Sequence, residues 1–339
     1  MSRRPGGAMP PCPCPGPCFA LRVDGRSVRL ACLAVDVARA RRRRPAELRL
    51  RDEAGVGGDR RRTLAPACRA SLACRVYGIR VGVRANDRGV LERVWDHLPP
   101  GWRPVRGPTV DRLYSLVVPR RRGIHALYGD AARLIRARTM VSLLDALESD
   151  LQLHVAERAP RRVFIHAGVV GWRGRAILLP GRSMSGKSTL VSALVRAGAT
   201  YYSDEYAVLD ARGRVHPYAR PLSLRTEGTY QRQRRSAASL GGRAGVRSVP
   251  AALVVVTRYR AGARFRPRRL SPGAGALQVM GHAVAARRDP ARVLAAIQQV
   301  ALRVPVFRGV RGEAEETARA LLEAVEHSRV EEQRDAARP

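Results

Sequence analysis

The chain reads GRSMSGKST at residues 181–189. This stretch matches the pattern GxxxxGK[ST], in which backbone N–H groups and one lysine surround phosphate groups. Lys187 is the only lysine among the 63 lysine and arginine residues of the chain. A slim ammonium fits against phosphate oxygens inside such a loop, whereas a planar guanidinium is too wide. The stretch therefore predicts a site for nucleotide phosphates.

A phosphate loop lies between a strand and a helix, because the N-terminus of the helix must point at the phosphates. Residues 175–180 form a short apolar run that is typical of a buried strand. Residues 190–197 repeat apolar side chains at helical spacing and end at Gly198. With both neighbours present, the residues predicted to bind the phosphates are Gly181, Ser183, Ser185, Gly186, Lys187, Ser188 and Thr189.

An acidic pair follows the loop. Residues 200–203 have the character of a strand and lead into Asp204 and Glu205, and Asp204 lies only 17 positions beyond Lys187. Carboxylates at a strand end close to phosphates suit Mg²⁺, which they can hold through its water shell. Most phosphate-loop NTPases carry the metal-binding acid much further along the chain. The plainer alternative is that the two acids open a turn.

Together with His166 and Gly168, at the end of the strand 162–171, the loop and the acidic pair resemble the catalytic domain of the HPr serine kinase/phosphorylase family. The core of that family is related to ATP-dependent phosphoenolpyruvate carboxykinase. The resemblance covers residues 161–230 well and the remainder to about residue 327 loosely. It implies an α/β fold with a P-loop catalytic core of the HPr kinase/PEP carboxykinase type, here behind a smaller N-terminal α/β domain.

The resemblance also implies ATP and Mg²⁺ as cofactors and the serine hydroxyl of a protein or peptide as acceptor. Carried over to this chain, Lys187 neutralises charge on the β- and γ-phosphates and the hydroxyl of Ser188 ligates Mg²⁺. Asp204 is the general base and also a metal residue, Glu205 supports the metal, and His166 lies beside the transferred phosphate. Without the resemblance, a lone histidine in an apolar strand is expected to be packed in the core.

The sequence departs from the family at two points. The family pair is usually two aspartates, so Glu205, one methylene longer, leaves the base and metal roles open to exchange. A glycine-rich signature loop for phosphorolysis is not found, so the reverse reaction is not predicted. Two other functions stay open: a nucleotide-dependent switch without phosphoryl transfer, and a kinase of a small molecule. Arg225 and Arg311 follow strand-like segments and are candidates for stabilising transition-state charge.

The composition restricts the partners. The formal net charge is +35 and the pI is about 11.6, yet arginines are spread along the whole chain and aromatic residues make up only 5%. No helix-turn-helix, zinc-finger or RNP pattern is present, so no specific nucleic-acid partner is predicted. No apolar run reaches the length of a membrane span, and the N-terminus lacks an apolar signal region. We therefore expect a cytoplasmic protein without membrane contact, and homo-oligomerisation stays open.

Four segments are predicted along the chain. Residues 1–74 hold all six cysteines, arginine runs and many prolines, and form a disordered leader. A metal knuckle at Cys12, Cys14 and Cys18 is the alternative within it, although the intervening prolines remove supporting amides. Residues 75–158 form the small N-terminal α/β domain, residues 161–327 form the catalytic domain, and residues 328–339 are a tail.

The local patterns predict most of the elements inside these domains. We expect surface charges and no catalytic cluster in the N-terminal domain. Residues 259–269 are predicted to be a basic linker, and Asp289 is predicted to cap the helix at 290–300. The predicted strands are residues 76–83, 112–118, 124–128, 206–209, 221–224, 251–256 and 304–307. The predicted helices are residues 89–97, the segment from Met140 to Val155, 290–300 and 313–325.

Overall fold

The computed structural model describes residues 20–23, 26–29, 70–107, 109–181, 185–225 and 232–336. It is a mixed α/β protein with several sheets. The chain forms two compact units, Met1–Leu151 and Gln152–Pro339. Cys12, Cys14, Cys18, Ser183 and the side chain of Arg225 lie outside the described residues, as does most of the predicted leader. The four predicted segments stay predictions.

The first unit contains a six-stranded sheet of order β5-β3-β4-β7-β8-β9 and a three-stranded sheet of order β2-β1-β6. Its strands are β1 Ala20–Val23, β2 Arg26–Arg29, β3 Ala70–Val76, β4 Ile79–Ala85, β5 Arg103–Pro104, β6 Thr109–Val110, β7 Arg112–Val117, β8 His125–Gly129 and β9 Ala132–Ala137. Its helices are α1 Arg88–Val94, a 3₁₀ turn Trp95–His97, and α2 Met140–Arg158, which continues into the second unit.

The segment predicted as one strand at residues 76–83 is wrong, because the chain reverses direction inside it. Tyr77 and Gly78 both have positive φ angles, 47° and 91°. Two consecutive residues of this kind make the tight turn that joins antiparallel strands, here β3 and β4. The alternation of apolar residues continues on both sides of the turn, so periodicity alone does not reveal it.

The expectation that charged residues of this region are all on the surface is also wrong. The guanidinium of Arg112 donates to carboxylates on two sides, at 2.7 Å to Asp130 and 3.0 Å to Asp150. The hydroxyl of the fully buried Tyr114 donates to Asp150 at 2.6 Å. The helix α2 that carries Asp150 has the predicted apolar face, with Leu143, Leu147 and neighbouring residues of the same stripe buried.

The second unit contains an eight-stranded sheet of order β14-β13-β10-β11-β17-β19-β18, in which β12 also pairs with β10, and a hairpin of β15 and β16. Its strands are β10 Val163–Trp172, β11 Arg175–Pro180, β12 Thr200–Ser203, β13 Tyr206–Leu209, β14 Val215–His216, β15 Leu222–Arg225, β16 Arg232–Arg235, β17 Ala251–Tyr259, β18 Arg268–Arg269 and β19 Val306–Arg311. Its helices are α3 Lys187–Arg196, α4 Pro272–Met280, α5 Pro290–Ala301 and α6 Ala314–Ala336, with 3₁₀ turns at Ala238–Leu240 and Val284–Arg287.

Helices cover both faces of this sheet. On β17, the side chain of Val254 packs with α4 and α5, whereas those of Leu253 and Val255 pack with α3 and α6. This alternation is the consequence of the two-residue period of a strand. The strands β11, β17 and β19 run parallel, so their C-terminal ends lie at one edge, where open α/β sheets usually bind ligands.

Several predicted elements of this unit are confirmed. The strand at 175–180, the helix after the loop, and the helix at 290–300 are present as β11, α3 and α5. The side chain of Asp289 accepts from the N–H of Arg292 and caps α5 as predicted. The basic linker at 259–269 is partly wrong, since Tyr259 still belongs to β17 and Arg268–Arg269 adds the edge strand β18.

Candidate phosphate-binding site

The segment from Gly181 to Gly186 connects β11 to α3, and two of its glycines allow close approaches. A Cβ on Gly181 would lie 2.7 Å from the Oγ of Ser185. Gly186 is the N-cap of α3 with φ +79°, a left-handed conformation that glycine adopts without strain. A Cβ on Gly186 would also contact the guanidinium of Arg311. The sequence therefore needs glycine at both positions for this loop to form.

Lys187 is the first residue of α3 and turns back over the loop. Its Nζ donates to the carbonyl oxygen of Gly181 at 2.8 Å. Burial lowers the pKa of Lys187, and the negative charges of Asp204 and Glu205 oppose this shift. The ammonium thus lies between the loop backbone and the acidic pair, a position from which it can contact phosphate oxygens.

Ser188 and Asp204 contact each other directly. The Ser188 hydroxyl donates to Asp204 Oδ2 at 3.1 Å, and the N–H of Ser223 donates to the same oxygen at 3.3 Å. The hydroxyl of Tyr201 donates to Oδ1 at 3.1 Å. Asp204 is only 6% exposed. Burial raises the pKa of Asp204, although the hydrogen bonds from Ser223, Ser188 and Tyr201 oppose the rise.

Glu205 is held by a different set of groups. The hydroxyl of Ser203 accepts from the N–H groups of Glu205 and Tyr206, and so closes the turn between β12 and β13. The side-chain amide of Gln152 is assigned in the orientation in which both its nitrogen and its oxygen form hydrogen bonds. The nitrogen then donates to Glu205 Oε2 at 2.8 Å, and the oxygen accepts from Arg220 at 2.7 Å. The acids thus do open a turn, and their carboxylates also join the polar cluster beside the loop.

His166 contacts the start of the loop through its backbone. Its carbonyl oxygen accepts from the N–H of Gly181 at 3.1 Å. The packed-core expectation for its side chain is wrong, because the side chain is exposed while the residues on either side are buried. The ring lies 4.9 Å from that of Tyr206. Desolvation of the ring by neighbouring groups lowers the pKa of His166, and the charge of Lys187 lowers it further. Both effects favour the neutral imidazole.

Arg311 joins the same site from the end of β19. It is 2% exposed, and its guanidinium donates to the carbonyl oxygens of Gly186 at 2.8 Å and of Gly312 at 2.9 Å. The guanidinium also lies over the ring of Tyr259, 5.2 Å from its centre. Burial lowers the pKa of Arg311, opposed by Tyr259, Glu313 and Glu315. Arg311 therefore fixes the carbonyl at the junction of the loop and α3.

These residues offer the ammonium, hydroxyl and carboxylate groups that could hold a nucleoside triphosphate with Mg²⁺. The hydroxyl oxygen of Ser185 is buried and has no hydrogen-bond partner in the described structure. This oxygen lies beside Gly181 in the loop. Ser188 and Asp204 offer oxygen ligands beside it. Within the described ranges no three His, Cys, Asp or Glu side chains gather as a metal site. Mg²⁺ would thus be held by few protein oxygens together with phosphates, as this ion often is.

Several residues of the cluster have no clear signal in the sequence. Ser223 reaches Asp204 only because β15 approaches it in the fold. Tyr201 lies in β12, three positions before Asp204, but belongs to no motif. Gln152 belongs to α2, whose pattern indicates scaffold alone. Of the predicted phosphate ligands, Thr189 is exposed on the first turn of α3.

The described part of the chain contains no helix that is both long and apolar enough to cross a bilayer.

No protein-family model matches the chain. No curated protein matches it either. Among solved structures, it is similar to the HPr(Ser) kinase/phosphatase from Coxiella burnetii, with 12% identity over 50% of this chain and 98% of that chain. The TM-score is 0.30, which describes a distant likeness and assigns no role to any residue.

Proposed function

We propose that the chain is an ATP- and Mg²⁺-dependent phosphotransferase that phosphorylates a serine hydroxyl of a protein or peptide. The contact between Ser188 and Asp204, 3.1 Å long at the first turn of the helix that follows the loop, carries this proposal. It unites a hydroxyl suited to a metal with a buried carboxylate, next to the only lysine of the chain. The family resemblance of residues 161–230 supplies the reaction type.

The binding step follows from the loop. The N-terminus of α3 favours negative charge, because its first N–H groups and the helix dipole attract phosphates. Lys187 neutralises the β- and γ-phosphates from the side of the acidic pair. Arg311 and the N–H of Leu190 both donate to the carbonyl oxygen of Gly186, and together they hold this oxygen away from the phosphates. Mg²⁺, when bound through Ser188, adds charge neutralisation at the transferred group.

In the chemical step, the acceptor oxygen forms a bond to the γ-phosphorus, the bond from that phosphorus to the bridging oxygen breaks, and ADP leaves. Asp204 accepts the proton of the acceptor hydroxyl. Its raised pKa makes this carboxylate a stronger base than an exposed aspartate. Its contact with Ser188 also gives it a place beside the metal, so Asp204 supports both roles. Glu205, whose carboxylate accepts from Gln152, would support a bound metal as the second acid of the pair. His166 lies at the entry of the loop with a neutral ring that can donate one hydrogen bond.

The test is transfer of label from γ-labelled ATP to polypeptides of the host extract, with Lys187→Ala and Asp204→Asn as controls. We expect a labelled protein with the wild type alone, and retained ATP binding in Asp204→Asn. Label on a metabolite instead would establish the small-molecule kinase. ATP binding with no transfer to any acceptor would refute the phosphotransferase and leave the nucleotide-dependent switch.

A further inference from the structure

A basic cleft opens at the C-terminal ends of β17 and β19, and it has a volume of about 750 Å³. Its lining includes Arg258, Arg260, Arg264, Arg266, Arg268 and Arg308, and its two other lining residues are uncharged. Arginine makes up 62 of the 339 residues, so one or two arginines would be expected among eight residues. The concentration in this cleft, hereafter the arginine cleft, therefore exceeds the arginine bias of the chain.

No described residue forms an ion pair with an arginine of the arginine cleft, and within the described residues none of the six guanidinium groups forms a side-chain hydrogen bond. Arg268 and Arg308 are direct cross-strand partners of β18 and β19. Like charges in this arrangement repel each other and destabilise the sheet. A bound anion would remove this repulsion, and arginine forks bind carboxylates and phosphates through two hydrogen bonds.

The arginine cleft and the candidate site are connected along the backbone at the ends of β17 and β19. Tyr259, between Arg258 and Arg260, lies against the loop, since a Cβ on Gly186 would be 3.7 Å from the Cβ of Tyr259. The N–H of Arg260 donates to the carbonyl oxygen of Arg311 at 3.0 Å. The side chains of Arg258 and Arg308 lie on the face of the sheet that packs with α4 and α5, whereas Tyr259 and Arg311 lie on the face of the loop and α3. A ligand in the cleft is thus separated from the phosphate loop by the ends of β17 and β19.

The shape and the lining select the kind of anion. All six arginines are exposed, so the cleft is an open groove, whereas small-molecule sites enclose most of their ligand. No aromatic side chain lines it, so it offers no stacking surface of the kind that single-stranded nucleic acids use. An extended peptide with several carboxylates matches both features.

We propose that the arginine cleft binds a segment of the protein substrate that is rich in Asp and Glu. This inference rests on the proposed function for the identity of the partner. It also gives the acceptor a chemical class that neither the loop nor the acidic pair defines.

The test begins with binding, measured without ATP by fluorescence anisotropy of a labelled peptide of alternating Glu and Ser. The cleft variant is Arg258→Gln, Arg264→Gln, Arg266→Gln and Arg268→Gln together. The control variant is Arg243→Gln, Arg247→Gln, Arg287→Gln and Arg319→Gln, four exposed positions of the same unit with the same change of net charge. We expect at least about tenfold weaker binding in the cleft variant and less than about twofold in the control.

Three outcomes would overturn the proposal. Equal losses in the two variants would assign the binding to the overall charge of the chain. Tighter binding of an RNA of equal charge, lost in the cleft variant, would assign the cleft to nucleic acid. Retained peptide binding in the cleft variant would exclude the cleft, and the single reversal Arg264→Glu repeats this test with less change to the protein. Circular dichroism and thermal unfolding confirm that each variant is folded.

A second arm separates this inference from the proposed function. Serine peptides with acidic, neutral and basic flanks are compared as acceptors of label from γ-labelled ATP. Peptide binding in the cleft without transfer to any peptide or extract protein would refute the phosphotransferase and retain the acidic docking site. Transfer at equal rates to all three peptides would retain the phosphotransferase and refute the docking site.

Discussion

Two arginines of this protein, the half-buried Arg112 in the first unit and the buried Arg311 in the second, have opposite surroundings. Arg112 donates to two carboxylates, and although burial acts to lower its pKa, Tyr114, Asp130 and Asp150 raise it above the ordinary value. Arg311 donates to two carbonyl oxygens, and burial lowers its pKa. A half-buried cation that is paired with carboxylates of its own unit, as Arg112 is, stabilises the fold. A buried cation that is bound only to carbonyl groups beside a glycine-rich loop is suited to a site for anions.

The largest expected effect is on phosphoryl transfer, and it should differ between Asp204 beside the loop and Asp150 beside Arg112. Asp204→Asn should lower phosphoryl transfer by at least about 100-fold, because the acceptor loses its base, while ATP affinity changes little. The matched variant Asp150→Asn should leave transfer unchanged and lower the free energy of unfolding by about 1 to 3 kcal/mol, because Arg112 and Tyr114 lose a charged partner. Label transfer and urea unfolding measure the two effects. Equal transfer rates in wild type and Asp204→Asn would remove Asp204 from the mechanism.

The next effect concerns the glycine beside Arg311. Gly186→Ala combines a positive φ of 79° with a contact to the Arg311 guanidinium, so the loop should leave its binding conformation and ATP affinity should fall about thirtyfold. The control Gly262→Ala has a similar φ of 70° but open space around its Cβ. It should cost about 1 kcal/mol of stability and leave ATP affinity unchanged. Isothermal titration calorimetry with an ATP analogue measures the affinity of both variants. Similar losses in the two would show that the contact with Arg311 does not determine ATP affinity.

Replacing Arg311 and Arg112 in turn by methionine tests whether the first supports nucleotide binding and the second supports the fold. Arg311→Met should weaken ATP binding about tenfold, because the junction of the loop and α3 loses the guanidinium, and the Gly186 carbonyl keeps only the N–H of Leu190 as donor. Arg112→Met should leave ATP binding unchanged and lower the free energy of unfolding by about 2 kcal/mol, because the carboxylates of Asp130 and Asp150 lose their partner. The comparison fails if Arg112→Met is the variant that impairs nucleotide binding.

The smallest effect is a pH dependence of stability. The pKa of Asp204 is raised in the folded protein, so its protonated form stabilises the fold below its ordinary pKa of about 3.9. That contribution is lost as the pH rises through the folded pKa. The stability of the wild type relative to Asp204→Asn should therefore be lower at neutral pH than in acid. Urea unfolding of both proteins across this range measures the difference, and a constant difference would contradict the raised pKa.

Local patterns predicted the elements around the loop well, because they depend on neighbours in sequence. The apolar run at 175–180, the cap Asp289 and the apolar stripe of α2 each specify an element by spacing alone. The failures come from positions where spacing is ambiguous. Tyr77 and Gly78 interrupt an alternation without changing its period. His166 lies in an apolar strand, yet the fold leaves its side chain exposed.

The sequence by itself determined the phosphate-loop pattern, its single lysine and the short spacing to Asp204, because these lie within 24 consecutive residues. Only the tertiary structure decided which of 62 arginines meets the loop. Arg311 reaches Gly186, 125 positions away, because β19 pairs with β17 in parallel and ends beside the loop. The same pairing gathers the arginine cleft. Strand order in a sheet is set by the packing of both faces against helices, and no local pattern of residues encodes it.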